Sequence, residues 1–156
     1  MRLPKIVCLL LLTACGDSTT GPPPVATSIE LSTTSLTFNS LGQTEQLTAT
    51  VQDQNGAMIR GADLTWTSSA ASVATVSSAG LVTAVADGTA TITATSGSVS
   101  ATATVTVNQT ASSVTLSPTS LSFTSAGDGA TLLATVMDAA GNTISNPTVT
   151  LSLIHI

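Results

Sequence analysis

From Ile29 onward, apolar and polar residues alternate with a period of two. Leu47, Ala49 and Val51 are separated by Thr48 and Thr50, Ala90, Ile92 and Ala94 by threonines, and Ala101, Ala103, Val105 and Val107 follow the same rule. Successive side chains of a strand point to opposite faces, so this pattern turns one face of each strand inward and leaves a threonine face toward water. No stretch carries an apolar stripe at helical spacing, and the chain is expected to be all-β. Asn55-Gly56, Ala79-Gly80, Asp87-Gly88 and Ser96-Gly97 cut the pattern into short strands. Turn signals about 8–12 residues apart predict a sandwich or barrel. The expected core is Phe38, Leu47, Val51, Leu64, Trp66, Ile92 and Val105.

The pattern also recurs. Laid over itself at an offset of 85 residues, Thr27–Thr65 matches Ser112–Thr150 without a gap, and 17 of the 39 aligned pairs are identical. Leu31/Leu116, Phe38/Phe123, Asp53/Asp138 and Gly56/Gly141 are among them. From Trp66/Leu151 onward nothing matches. Self-similarity at a fixed period marks an array of like units, not one domain with a single active site. The reading is a complete module at 27–107, a linker at 108–111 and a truncated second copy at 112–150. The tail 151–156, Leu-Ser-Leu-Ile-His-Ile, breaks the repeat at every position. It resembles the translation of the transposon end used in tagmentation libraries, which encodes these six residues in order, and is expected to be a sequencing adapter, against the alternative of a natural exposed apolar strand.

The first residues carry an address. Arg2 and Lys5 precede seven apolar residues, Ile6–Leu12, far fewer than the roughly 20 that a membrane-spanning helix needs. A charged start, a short apolar run and small residues before a cleavage point form an export signal, assigned to 1–14. Leu12-Thr13-Ala14-Cys15 resembles the lipobox of bacterial lipoproteins, against the alternative of an ordinary secretory signal with an incidental cysteine. The resemblance implies a diacylglyceryl thioether on Cys15, cleavage before it, and acylation of the new amino terminus, so the membrane becomes a partner through a lipid anchor at Cys15. Two or three acyl chains hold firmly where one holds marginally. Gly16 in place of Asp resembles an outer-membrane sorting pattern, which implies an outer-membrane, surface-exposed protein. Cys8 falls in the removed segment, so no disulfide is expected in the mature chain. Residues 15–26 comprise the lipidated cysteine and a Pro/Ser/Thr-rich tether, in which Pro22-Pro23-Pro24 favours an extended conformation.

Composition then narrows the function classes. Beyond the export segment the chain has one base, Arg60, against eight acids, which removes the basic footprint of a nucleic-acid binder. It has no Tyr, no Lys after Lys5, and a single His155 without a motif-placed partner. No catalytic site, metal site or cofactor is expected, and the protein is not expected to be an enzyme. Trp66 could stack a sugar, but its phase with Leu64 points it to the core. Asp53, Asp63, Asp87, Asp128 and Asp138 could offer calcium oxygens, but they form no dense acidic loop, and turn or strand-end solvation is the better reading. Asn108-Gln109-Thr110 fits a glycosylation acceptor or, equally, a polar hinge between modules.

The module also matches a known pattern. Ser28-Ile29-Glu30-Leu31-Ser32 opens it, Gly42-Gln43-Thr44 precedes Leu47-Thr48-Ala49, and Leu64-Thr65-Trp66-Thr67-Ser68-Ser69 and Val73-Ala74-Thr75-Val76 follow. Gly80-Leu81-Val82-Thr83-Ala84 and Gly88-Thr89-Ala90-Thr91-Ile92-Thr93-Ala94 lie toward its end. In order and spacing these resemble the bacterial immunoglobulin-like domain, group 2. The resemblance implies an immunoglobulin-like β-sandwich of about seven strands, repeated in tandem on surface proteins, adhesins, phage structural proteins and some multidomain enzymes. Fold alone does not fix function. One reading is a non-catalytic cell-surface lipoprotein whose repeats form a stalk or adhesive module for an unidentified surface protein or glycan. The other is a membrane-anchoring spacer of an enzyme or receptor whose working domain lies beyond residue 156.

Overall fold

The computed structural model of the chain describes residues 23–153, and every regular element in that span is a β-strand. The export segment, Cys15, the first part of the tether and 154–156, with His155, lie outside the described residues. Nine strands build the unit up to Val107: β1 (Ala26–Leu31), β2 (Ser35–Phe38), β3 (Thr44–Gln46), β4 (Ala49–Asp53), β5 (Thr65–Ser68), β6 (Ala74–Val76), β7 (Leu81–Ala84), β8 (Gly88–Ser96) and β9 (Val99–Val107).

The longest pairing is the antiparallel hairpin β8–β9, in register from Gly88↔Val107 to Ser96↔Val99. Its alternation of small apolar residues and threonine buries Ala90, Ile92 and Ala94 from one strand and Ala103, Val105 and Val107 from the other. β5 adds antiparallel to β8, and β2 adds parallel to β9, giving a four-stranded sheet in the order β2-β9-β8-β5. On the other side, β3-β7-β6 forms a three-stranded sheet and β1-β4 a two-stranded one. The run 44–53 interrupts itself at Leu47–Thr48: its first half pairs with β7 and its second with β1. The interruption is bonded, with Leu47 N–H donating to Gly80 O at 2.9 Å and Ser32 N–H to Thr48 O at 2.9 Å.

The core lies between the sheets. Leu36, Phe38, Ile92, Ala103, Val105 and Val107 meet Leu47, Ala74, Val82 and Ala84. Each buried Val or Leu contributes about 1.5–3 kcal/mol by leaving water, and the many alanines let the layers approach closely. Of the expected core, Phe38, Leu47, Val51, Ile92 and Val105 are buried. Leu64 and Trp66 are not: both are half-buried on the rim. Trp66 packs there against the core and its ring covers Gly80, whose φ is +83°. A Cβ on Gly80 would collide with Leu47 O and come within 3.0 Å of the Trp66 ring, so the turn needs glycine for space as well as for conformation.

After residues 108–111 the segment 112–150 repeats one strand pair of the sandwich residue for residue. β10 (Ser113–Ser117) and β11 (Leu133–Met137) pair as Val114↔Val136 and Leu116↔Ala134, the positions of Ile29↔Val51 and Leu31↔Ala49 shifted by 85. Residues aligned with β2 and β3 form no strand there. Phe123 is accordingly 54% exposed where Phe38 is 5% exposed.

Candidate functional site

The polar side chains that do most in this structure are carboxylates at turns. Asp53 Oδ1 accepts the N–H groups of Asn55 at 2.8 Å and Ala57 at 2.9 Å, closing the Asn55-Gly56 turn after β4. An aspartate that binds backbone two residues on builds a local turn, which is why a Gly partner and not a β-branched residue follows. The Ala57 and Asn55 amides hold the Asp53 carboxyl below its ordinary range. Asp128 does the same to its own loop, accepting from Ser125 N–H at 2.9 Å and from Thr124 N–H at 3.0 Å, and its carboxyl is lowered by those two bonds and by the Thr124 hydroxyl. In the sandwich the aligned residue is Gln43, whose Oε1 accepts from Asn39 N–H at 2.8 Å and Ser40 N–H at 3.1 Å. An uncharged amide and a carboxylate thus close one loop shape by the same geometry.

Asp138 differs from its repeat partner Asp53. Its Oδ1 closes the local turn through Ala140 N–H and Asn142 N–H, both at 2.9 Å. Its Oδ2 reaches across to the sandwich, accepting from Leu41 N–H at 3.0 Å and from Gln109 Nε2 at 3.0 Å. Asn142 Nδ2 donates to Leu41 O at 3.1 Å and to Asp138 Oδ2 at 3.2 Å. Asp138 is only 3% exposed. Desolvation pushes its carboxyl up, but Gln109, the Asn142 and Leu41 amides and the Asn142 side chain together outweigh it and hold the group well below the usual carboxylate range. A carboxylate with both oxygens filled by donors has no oxygen to offer a metal and no proton to trade at neutral pH.

The linker is fixed in the same place. Asn108 N–H donates to Phe38 O at 2.9 Å and Thr110 N–H to Asn39 O at 3.0 Å. Gln109 N–H donates to Asp87 Oδ1 at 2.8 Å. Of the two readings of Asn108-Gln109-Thr110, these bonds support a polar connection, and a bonded one in place of a loose hinge. Asp53, Asp87, Asp128 and Asp138 therefore serve turns and strand ends, and Asp63 is exposed. Among the described residues no group of three or more His, Cys, Asp or Glu is placed to hold a metal ion. Trp66 packs its ring over Gly80, which disfavours a sugar platform. Leu41 and Asn142 escaped sequence reasoning, and Gln109 is read there only as part of the polar hinge; the signal available is that the repeat keeps the aspartate, Asp53/Asp138, but exchanges Ala57 for Asn142.

Comparison with known proteins gives a family and several similar solved structures. The profile of the bacterial Ig-like domain (group 2) matches residues 25–107. No curated protein matches the chain. Among solved structures, domains 4 and 5 of the S-layer protein SbsC are similar at 29% identity and a TM-score of 0.50, over 55% of this chain and 53% of that one. SbsC domains 5–6 are similar at 25% identity and a TM-score of 0.50, over 78% of this chain and 67% of that one. SbsC domains 1–6 are similar at 25% identity and a TM-score of 0.51, over 80% of this chain and 18% of that one. The chain spans about half the length of the first of these structures.

Proposed function

Because the chain belongs to the bacterial Ig-like domain (group 2) family through residues 25–107, we propose that it is a non-catalytic surface protein whose sandwich units form a stalk, anchored in the outer membrane by a lipid on Cys15. The observation that carries the reading is the likeness of the sandwich, and of the span running into the next segment, to consecutive domains of a surface-layer protein. The chemistry agrees: the bonded carboxylates serve turns, and the strand faces toward water are dominated by threonine and serine, with Glu30, Glu45 and Gln46 among them. Residues 112–150 are the start of a second copy, with β10 and β11 in the places of β1 and β4. The tether 15–26 lifts the first unit off the lipid, and any ligand, a surface protein or a glycan, is met at the far end.

Metabolic labelling with a fatty acid, combined with protease accessibility on intact cells, tests this. A labelled protein that loses its label in Cys15→Ser, and that is cleaved by external protease, is the expected result. An unlabelled wild-type protein, or one protected in intact cells, overturns it.

A further inference from the structure

We propose that the linker end of the sandwich is a docking surface for the Asp-x-x-x-Asn turn of the unit that follows it, and that this contact fixes the angle between consecutive units. The inference rests on reading 112–150 as the start of a second copy and is independent of the lipid anchor.

Leu41 is the receptor. Its loop is closed internally by Gln43, which takes the Asn39 and Ser40 amides, and this leaves both the N–H and the C=O of Leu41 for an outside partner. Asp138 Oδ2 takes the N–H at 3.0 Å and Asn142 Nδ2 takes the C=O at 3.1 Å. The incoming turn thus reads one backbone residue through both its polar groups, as a neighbouring strand would. Gln109 adds a side-chain donor to the same Oδ2, so the linker itself contributes to the receptor.

The partner chemistry is specific. A carboxylate is needed at the first turn position, because only an acceptor with two oxygens can close its own turn with one and accept two external donors with the other. A carboxamide is needed four residues on, because a donor must meet the Leu41 carbonyl. Asp53-Gln54-Asn55-Gly56-Ala57 has the same turn and the same carboxylate, with Ala57 where the donor would be. The first unit's turn therefore carries half of the recognition pair and the following unit's carries all of it. Asp53 is half exposed where Asp138 is 3% exposed. A charge is tolerated at such burial only when its hydrogen bonds are complete, and no buried side-chain nitrogen or oxygen among the described residues lacks a partner.

The slack that could defeat such a contact is absent. Asn108, Gln109 and Thr110 are each bonded through their amides to the sandwich, and Ser112 N–H is bonded to Met137 O at 2.8 Å. In an array of units, stability divides into intrinsic terms and nearest-neighbour terms; this junction is the physical content of the neighbour term.

Amide hydrogen exchange and ¹⁵N relaxation of the full chain test the proposal. The Leu41 amide should be protected in the wild type, and β10–β11 should tumble with the sandwich. Asn142→Ala removes the cross-junction donor together with that side chain's longer bonds to Asp138 Oδ1 and Oδ2, at 3.3 and 3.2 Å, while the backbone N–H of residue 142 still closes the local turn on Asp138 Oδ1. It should speed Leu41 exchange about tenfold or more and decouple the tumbling, while the Asn39 and Ser40 amides stay unchanged. Asp138→Asn, which sets an NH₂ against two donors, should do so more strongly, and Ala57→Asn should leave Leu41 exchange as it is. If Leu41 exchanges equally fast in wild type and Asn142→Ala, or if the two parts tumble together in both, the clasp does not exist. A failure of lipid labelling would leave these readings untouched, so the two proposals fail separately.

Discussion

Gly80 shows how much one residue can carry. A side chain there meets two penalties at once: a left-handed backbone, costing about 1–2 kcal/mol, and a collision with Leu47 O and the Trp66 ring, an overpacking cost of about 1–3 kcal/mol. Gly80→Ala should lower stability by about 2–5 kcal/mol in a urea melt. Gly97 also has positive φ, but nothing lies within 4 Å of its missing Cβ, so Gly97→Ala should show only the backbone part. The comparison separates space from conformation. Asp138 gives a second residue-scale prediction. Its carboxyl is held below the usual range in the folded chain, so the stability it contributes is fully present above the unfolded value of about 3.9 and is lost as pH falls toward the folded one. The Leu41 backbone amide and the Gln109 side-chain amide, both bonded to Asp138 Oδ2 and followed by NMR on acidification, should hold steady at neutral pH and begin to move only below about pH 4. Movement near pH 7 would mean that another group governs the junction.

At the scale of the element, the hairpin β8–β9 was the most legible part of the chain. Its threonines and its small apolar residues alternate without a break, and the Ser96-Gly97 turn sets the register that places Ile92 opposite Ala103. Ile92 is fully buried while Thr93 on the opposite face is partly solvated. Ile92→Ala should therefore cost about 2–5 kcal/mol, and Thr93→Ala should stay within about 0.5 kcal/mol, both read by thermal unfolding of residues 23–111. Alternation says which face is buried but not which strand lies alongside. The parallel pairing of β2 with β9, joining residues nearly 70 apart in sequence (Ser35↔Thr104), left no local trace, nor did the break at Leu47–Thr48 that shares one run between two sheets. Leu64 and Trp66 illustrate the same limit. Their phase is as expected, but they lie at the β5 edge of the sheet, where they are left half-buried, unlike Leu36 and Phe38 at the β2 edge. The junction was legible only in part, because its receptor is a backbone residue, Leu41, whose side-chain identity plays no role in the contact.

On the scale of the whole molecule, the chain sets a closed unit beside an open one. The sandwich has both faces of its core covered, so residues 23–111 should fold alone as a monomer, with no shift in melting temperature on adding calcium or a chelator. In 112–150, residues aligned with core positions face water: Phe123 is 54% exposed, Leu121 40% and Leu132 36%, where Phe38, Leu36 and Leu47 are 5%, 9% and 0%. Val114 and Leu133 add 56% and 65% exposed apolar side chains on the strand pair itself. Exposed apolar side chains on both faces of the pair, beside β10, whose outer edge has no strand partner, make a surface for association. A polypeptide of residues 23–153 should therefore self-associate with rising concentration, while residues 23–111 sediment as monomer throughout. Phe123→Ser and Leu133→Lys together should weaken the association without altering the melting of the sandwich, because neither residue touches its core. Equal sedimentation of the long and short chains across the concentration range would show that the open face is covered within the chain itself.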